Sequence, residues 1–247
     1  MYYKDRVEAG RKLAEKLQAY KSKNCVVVAL SESSVLVAAQ VAMELHANLL
    51  LYLVRDIMLP GEDEAVAAIS STGAFRYNDA LSHGEIDEIS GEFRNHIEQE
   101  RFGKTHEMNA LLGSDGEIDK NLLRHRNVIL VADALPDGFA LTMAYEFLKT
   151  VATKRIIVAA PVVSVPAIDK MHVIADELHV GGVTANFLSI DHYYDENHEL
   201  DSEEIMKILR NISMTWHDGM RPGHAQHHHQ GNHSTKVLSR RHVRRRV

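Results

Sequence analysis

The sequence predicts an α/β protein whose open, mostly parallel, twisted sheet is flanked by helices. Short, continuous, β-branched apolar runs such as 25–30 are typical of strands buried on both faces of a sheet. These runs alternate with segments in which apolar residues recur at helical spacing. Strands that alternate with helices favour parallel pairing and right-handed crossovers, which defines the fold class.

The alternation forms two blocks and is followed by a final helix. The first block predicts a helix over 5–20, a strand over 25–30, a helix over 35–45 and a strand over 49–54. The second predicts a strand over 128–131, a helix over 140–150, a strand over 156–160, a helix over 168–174 and a strand over 177–180. The final helix covers 202–214, with Ser202 as its N-cap and acidic residues in its first turn.

A polar stretch over about 71–126 separates the two blocks and does not follow the pattern. Within it, 85–101 predicts an exposed amphipathic helix, and the rest is loop-like. An insertion of this size forms either a hood over the carboxyl edge of the sheet or a surface helix pair without a role in binding. We therefore expect one domain over 1–216 that contains this insertion.

Composition excludes several classes of protein. The chain has 247 residues, 45% of them hydrophobic, which is enough for a core without disulfides. A single cysteine, Cys25, excludes a disulfide framework and indicates a reducing compartment. Apolar stretches stay below the ~18 residues of a membrane span, and the N-terminus is too polar for a signal peptide. These features predict a cytoplasmic globular protein.

Charge is divided unevenly between the body and a C-terminal tail. The net charge is 28 − 34 = −6; residues 217–247 carry 7 − 1 = +6, which leaves 21 − 33 = −12 for the rest. We expect this His-rich, basic tail to be disordered. Its histidines favour adventitious metal affinity over a designed site. Its arginine cluster, Arg240 to Arg246, either contacts nucleic acid or another polyanion or is a solvated arm without function.

Ligands of open α/β sheets bind beyond the carboxyl ends of the strands, so the segments after the strands are the candidate site. Three such segments stand out: Ser31 to Ser34, Arg55 with Asp56 leading to Gly61, and Asp133 to Gly138.

These segments resemble the type I phosphoribosyltransferase family, in particular a bacterial branch of predicted phosphoribosyltransferases. The resemblance covers nearly all of 3–210. It rests on five pieces in the right order: the opening 5–14, the turn 29–35, the segment from Val54 to Glu64, the motif 129–138, and a C-terminal pattern from Ala175 to Ile205. It implies a glycosyltransferase that transfers a phosphoribosyl group to or from a nitrogenous base, uses Mg²⁺ and forms a homodimer.

The motif that should bind phosphoribosyl pyrophosphate departs from the family pattern. The resemblance implies two acids that hold the ribose and a small-residue loop that cradles the 5′-phosphate. Here Ala132 replaces the first acid and leaves Asp133, while Pro136 has no N–H to donate. Asp137 brings a carboxylate to the phosphate position and is also well placed to cap the following helix. Phe139 replaces a small residue, and Gly138 keeps its expected identity.

The pyrophosphate clamp departs in the same direction. Glu32 reverses the expected charge, Ser33 and Ser34 stand where glycines are usual, and Asp56 stands where a lysine is usual, so Arg55 is the remaining cation. The ligand-binding candidates are thus Asp133, Asp137, Gly138, Phe139, Arg55, Ser33 and Ser34, with no catalytic residue or metal ligand assigned.

These departures favour a phosphoribosyltransferase-like protein with a degraded active site. In this interpretation it is a pseudoenzyme that binds a nucleotide or phosphoribosyl ligand, or a regulatory module. Two alternatives stay open: an active phosphoribosyltransferase in which Asp133 binds ribose and Mg²⁺ assists, and a nucleic-acid-associated regulator that uses the basic tail.

Overall fold

The computed structural model describes residues 2–62, 64–113 and 118–217. Its main sheet has five strands that pair in parallel, in the order β2-β1-β6-β7-β8. Their bounds are β1 Cys25–Ala29, β2 Asn48–Leu51, β6 Asn127–Val131, β7 Arg155–Ser164 and β8 Glu177–Thr184. The α/β class and the mostly parallel sheet predicted from the sequence are confirmed.

Helices cover both faces of this sheet. Those bounded in the structure are α1 Arg6–Lys16, α2 Ser34–Leu45, α5 Phe139–Lys149, α6 Val165–Ile174 and α7 Ser202–His217. Alternate residues of β1 face opposite sides, so Val27 packs in one hydrophobic cluster with α1, α2 and α7, whereas Val28 packs in a second cluster with α5 and α6. This double burial explains why β1 and β6 consist almost wholly of apolar residues.

A second, antiparallel sheet lies outside the main one. It has the order β3-β4-β5, with β3 Val54–Met58, β4 Ala65–Ser70 and β5 Phe75–Tyr77, and it is followed by α3 His83–Glu92 and α4 Arg94–Leu112. We call the segment from β3 to α4 the hood. The predicted strand over 49–54 is divided between the two sheets, so the chain leaves the main sheet by residue 54 rather than at about 71. The sequence pattern did not indicate these antiparallel strands, because Asp56 in β3 and the alanines of β4 are residue types depleted in strands.

The predicted cap of the final helix is wrong by one residue. The backbone N–H of Glu204 donates to Asp201 Oδ1 at 2.8 Å, and the N–H of Asp201 donates to Glu204 Oε2 at 3.0 Å. Asp201 is therefore the N-cap and Ser202 is the first helical residue. The prediction of a disordered tail falls on residues beyond His217, outside the described part of the chain.

None of the described helices is long and apolar enough to cross a membrane.

Candidate functional site

The candidate site is a cleft at the carboxyl ends of β1 and β6. The chain order of the strands reverses between these neighbours, which is where open α/β sheets bind ligands. The loops that follow β1 and β6 line a cavity of about 200 Å³, and β3 of the hood supplies another wall through Val54 and Asp56. The segments after β1 and β6 thus meet at one edge of the main sheet, whereas Arg55 and Asp56, which the sequence analysis expected after a strand of that sheet, lie inside β3 of the hood.

The loop after β6 is held by the neighbouring strand. The N–H of Leu135 donates to Val162 O at 3.0 Å, and the N–H of Ser164 donates to Leu135 O at 3.0 Å. Gly138 then turns the chain with φ +74°, a conformation that favours glycine. These bonds fix the direction in which Asp133 and Asp137 leave the loop.

Asp137 precedes Gly138, the N-cap residue of α5, and its side chain bonds to the first N–H of that helix. The N–H of Phe139 donates to Asp137 Oδ1 at 2.8 Å, so this carboxylate lies at the N-terminus of α5. Phe139 itself is 5% exposed and belongs to the core under the sheet. The helix end that would attract a phosphate therefore already has a carboxylate against it.

Asp133 is engaged in a buried ion pair. Its carboxylate is 2.9 Å from Arg6 Nε, and the residue is 1% exposed. The Asp133 carbonyl oxygen also accepts a hydrogen bond of 2.6 Å from the Tyr194 hydroxyl. The residue that the resemblance assigns to the ribose is thus held mainly by the protein itself.

Arg6 joins three parts of the chain at the edge of the cleft. Besides Asp133, its guanidinium donates to Asp191 Oδ1 at 2.7 Å and to Asn197 Oδ1 at 2.9 Å, and it stacks 4.6 Å from the centre of the Tyr194 ring. Burial lowers the pKa of Arg6, but the hydrogen bonds to Asp191 and Asp133 outweigh it, so the pKa is raised. Arg6 is charged in the folded protein.

Sequence reasoning missed this role of Arg6. A signal existed: Arg6 precedes Ala9, Gly10 and Leu13 by three, four and seven residues, which places it on the buried face of α1. A charged residue on such a face needs a buried partner, and Asp133 is that partner.

The serine turn after β1 closes on itself. The N–H of Ser31 donates to Ser34 Oγ at 2.9 Å, the Ser34 hydroxyl donates to Ser31 O at 2.7 Å, and the N–H of Ser34 donates to Ser31 Oγ at 3.1 Å. Ser34 is fully buried, while Ser33 lines the cleft with its hydroxyl 3.1 Å from that of Ser31. Only Ser33 of the two predicted serines presents its side chain toward the cleft.

Arg55 faces a second cavity beside the first. This cavity has about 450 Å³ and shares Ser31, Ser33 and Ile190 with the cleft. Arg55 lines it and pairs with Glu32 at 2.7 Å. The Arg55 side chain is 27% exposed and that of Glu32 is 34% exposed. The cation predicted for the pyrophosphate position is therefore neutralised by Glu32, the residue that reverses the expected charge in the turn after β1.

The ionisable residues that line the cleft are acidic. Within the described part of the chain they are Asp56, Asp133 and Asp137, with no Lys, Arg or His among them, although Asp133 is paired with Arg6 from outside the lining. Asp56 reaches solvent through the cleft but is surrounded by protein, and this desolvation raises the pKa of its carboxyl. The Asp137 carboxylate raises that pKa further, while Lys104 and Arg55 lower it.

The described carboxylates do not form a metal site built from protein side chains alone. One oxygen each of Asp133 and Asp137 is bonded to protein N–H groups. In residues 2–62, 64–113 and 118–217, no group of three or more His, Cys, Asp or Glu could hold a metal ion. Mg²⁺ often needs only one or two carboxylates beside the phosphates of a bound ligand, so such an ion would have to come with its ligand.

The chain was compared with known proteins. No family model matches it. Proteins of two Mycobacterium tuberculosis strains with the curated name "Putative phosphoribosyl transferase" are 24% identical over 212 residues, which cover 84% of this chain. The same match covers 46% of each of those proteins, so the chain spans about half the length of the curated relatives it matches.

A solved structure shows the same fold. TT1426 from Thermus thermophilus superposes with a TM-score of 0.64 at 24% identity, covering 86% of this chain and 100% of that one. A purine phosphoribosyltransferase from Pyrococcus horikoshii matches with a TM-score of 0.41 and 16% identity, covering 74% of this chain and 86% of the other. The chain thus resembles phosphoribosyl transferases in its sequence, as predicted, and has the fold of the Thermus thermophilus protein.

Proposed function

We propose that this chain is a phosphoribosyltransferase-like protein that binds a small molecule or regulates a partner, and that it does not transfer phosphoribosyl groups efficiently. The observation that carries the proposal is the lining of the cleft by Asp56, Asp133 and Asp137: among the described lining residues there is no Lys, Arg or His, and Asp133 alone of the three acids has an ion-pair partner, Arg6. Substrates of the family are polyanions, and this cleft repels them.

The size of the repulsion supports a loss of binding. A unit charge 4 Å from a phosphate oxygen costs about 1 kcal/mol in water and about 4 kcal/mol at an effective dielectric constant of 20. Asp137 lies at the helix terminus where a phosphate would bind, and Asp56 raises the cost from the facing wall. Two cations near Asp56 are already paired, Arg55 with Glu32 and Lys104 with Glu100.

The cavity dimensions agree with this reading. The cleft has about 200 Å³, below the roughly 300 Å³ at which small-molecule sites usually begin. The adjoining cavity adds space. Its lining includes Arg6 and Arg55, but their positive charges are offset by the carboxylates of the lining residues Glu32, Asp191 and Glu199. In our proposal, a ligand that spans both cavities carries little negative charge.

The alternative is an active transferase, and the name of the curated relatives favours it. In that case Asp133 would hold the ribose after Arg6 moved away from it. We also propose a cytoplasmic location and a homodimer, in line with the sequence resemblance and the single reduced cysteine.

Calorimetry with phosphoribosyl pyrophosphate and MgCl₂, on the full chain, tests the proposal. We expect no binding in the micromolar range and no release of pyrophosphate with a panel of purine and pyrimidine bases. Micromolar binding would overturn the proposal. So would turnover that is lost in Asp133→Asn while circular dichroism shows that the variant stays folded.

A paired variant separates charge from shape. Asp56→Asn/Asp137→Asn removes two charges, and asparagine Oδ1 can still accept from the Phe139 N–H. We expect it to bind inorganic phosphate at least about tenfold more tightly than the wild type. The control, Asp87→Asn/Asp195→Asn, makes the same change at exposed sites outside the cleft and should bind phosphate like the wild type. Equal affinity of all three proteins would contradict the electrostatic argument.

A further inference from the structure

The hood carries an apolar groove that the candidate site does not use. The groove has about 340 Å³ and lies between α3 and the segment that joins β3 to β4. Its floor is formed by apolar side chains that pack on the core: Leu59, Val66, Leu81, Ile89 and Phe93. It is thus large enough to take extended side chains from another segment.

Acidic residues surround this floor. Among the described residues, the ionisable side chains that line the groove are all exposed glutamates: Glu62, Glu64, Glu85, Glu88 and Glu92. Across the described ranges, none of the five forms an ion pair with Lys, Arg or His. Glu85 is partly engaged, since its carboxylate accepts the Ser82 N–H in the cap of α3. The groove therefore combines an apolar floor with an uncompensated negative rim.

We propose that this groove binds the arginine-rich segment Arg240–Arg246 of the same chain. The segment carries five arginines around Val243 and no acid, so its charge is complementary to the rim. Arginine suits such a surface, because its aliphatic stem lies along apolar side chains while the guanidinium forms bidentate contacts with carboxylates.

The chain between the fold and the segment is long enough. Residues 218–239 number 239 − 217 = 22, and a chain of that length spans at most about 75 Å. A domain of this size has a radius of gyration of about 17 Å. Connection to the same chain also raises the local concentration of the segment to roughly the millimolar range, so a weak contact is populated.

The helix that precedes this connection packs against the hood. Helix α7, which ends at His217, contacts α4, and α4 contacts α3. Ile208 and Leu209 of α7 pack on the same hydrophobic cluster as Ile89 and Phe93 of the groove floor. The proposal does not depend on whether the cleft at the main sheet is catalytic.

Paramagnetic relaxation enhancement on the full chain tests the contact. A spin label attached to Ser239→Cys reports where the segment lies. The native Cys25 does not compete for the label, because it is 4% exposed and burial raises the pKa of its thiol to about 11. We expect the amide signals of α3 to lose most of their intensity at low salt and to regain it at about 1 M salt, where the Debye length is about 3 Å.

Two charge variants give the decisive comparison. Glu88→Gln/Glu92→Gln removes two rim charges and should restore the α3 signals several-fold. Glu107→Gln/Glu203→Gln removes two exposed charges away from the groove and should leave the broadening as in the wild type. Equal effects of the two variants, or no preferential broadening of α3, would overturn the proposal.

Two other occupants give distinct results. The first is a second copy of the chain. The broadening would then disappear when labelled protein is diluted with unlabelled protein at constant total concentration, or it would occur between separately labelled chains. Either result overturns binding within one chain. The second is a polyanion. If α3 shows no broadening in nucleic-acid-free protein and added RNA binds the segment, the partner of the segment is a polyanion, and the proposal is also overturned.

Discussion

One hydrogen bond holds the negative charge of Asp137 at the cleft. Its Oδ1 accepts the Phe139 N–H at 2.8 Å, which stabilises the start of α5 and brings a negative charge to the carboxyl edge of the main sheet. The sequence allowed both a cap and a cleft-facing charge at this position. The structure shows that the two coincide, because Asp137 caps α5 and lines the cavity.

Replacing Asp137 separates the two effects on stability. Asp137→Ala removes the acceptor of the Phe139 N–H, and we expect it to lower the free energy of unfolding by about 0.5–2 kcal/mol. Asp137→Asn keeps an oxygen at the same place and should lose less than Asp137→Ala. Urea unfolding of both variants measures the difference; a larger loss in the asparagine variant would show that the cap does not depend on this oxygen.

Asp56 predicts a pH dependence of stability. Its pKa is raised in the folded protein above the ordinary value of 3.8, so the folded state binds the proton more tightly than the unfolded state. Protonated Asp56 therefore contributes to the free energy of unfolding below pH about 3.8, and this contribution is lost as pH rises through the raised pKa. Asp56→Asn should therefore be more stable than the wild type at pH 7.

The measurement is urea unfolding at pH 7 and near pH 3.5. The stabilisation of Asp56→Asn should shrink at the lower pH, where wild-type Asp56 is itself neutral. Asp87→Asn, at an exposed position on α3, is the control for the loss of one carboxylate. A stability difference that is the same at both pH values would contradict the raised pKa.

At the scale of elements, the packing of α1 on α2 depends on a glycine. A Cβ placed on Gly10 would lie 2.7 Å from Val37 O and 2.8 Å from Gln40 Cβ. The two helices approach each other closely at this point, and both contribute to the hydrophobic cluster on one face of the main sheet. Periodicity alone gave no reason to prefer glycine inside a helix here.

Gly10→Ala tests this close approach. We expect a loss of about 1–3 kcal/mol in the free energy of unfolding, because the helices must separate. Gly103→Ala is the matched control: Gly103 lies inside α4, and a Cβ there would have nothing within 4 Å. That variant should gain up to about 1 kcal/mol from helix propensity. Thermal or urea unfolding compares them, and similar effects of both would exclude steric contact as the cause.

At the scale of the whole molecule, Arg6 connects segments that are far apart in the chain. It bonds to Asp133 after β6 and to Asp191 and Asn197 before α7. This network fixes the N-terminal helix to both loops at the edge of the cleft. Loss of Arg6 should therefore affect the stability of the fold as well as the shape of the cleft.

A double-mutant cycle measures the pair. Arg6→Met leaves Asp133 buried without its partner, and we expect a cost of about 3–5 kcal/mol. Arg6→Met/Asp133→Asn should recover part of that loss, since the buried charge is gone. Lys12→Met removes a solvent-exposed partner of Glu8 on the same helix and should cost at most about 1 kcal/mol. A cost of Arg6→Met as small as that of Lys12→Met would show that the ion pair contributes little.

The sequence by itself determined the α/β class and most of the elements of the main sheet. Fully apolar strands and helical periodicity arise from burial along each segment, so they can be read locally. The antiparallel sheet of the hood was missed, because Asp56 in β3 and the alanines of β4 are residue types depleted in strands, and β5 has no fully buried residue. The residue types after β1 and β6 also predicted an acidic site, since their order along the chain places them at one edge.

Only the tertiary structure decided how the charges are partnered. The pairs Arg6 with Asp133 and Arg55 with Glu32 join residues 127 and 23 positions apart. No local pattern specifies such pairs, because they depend on which loops the crossovers bring together. The number of acids near the cleft follows from the sequence. Which of them remain free to meet a ligand is a property of the fold.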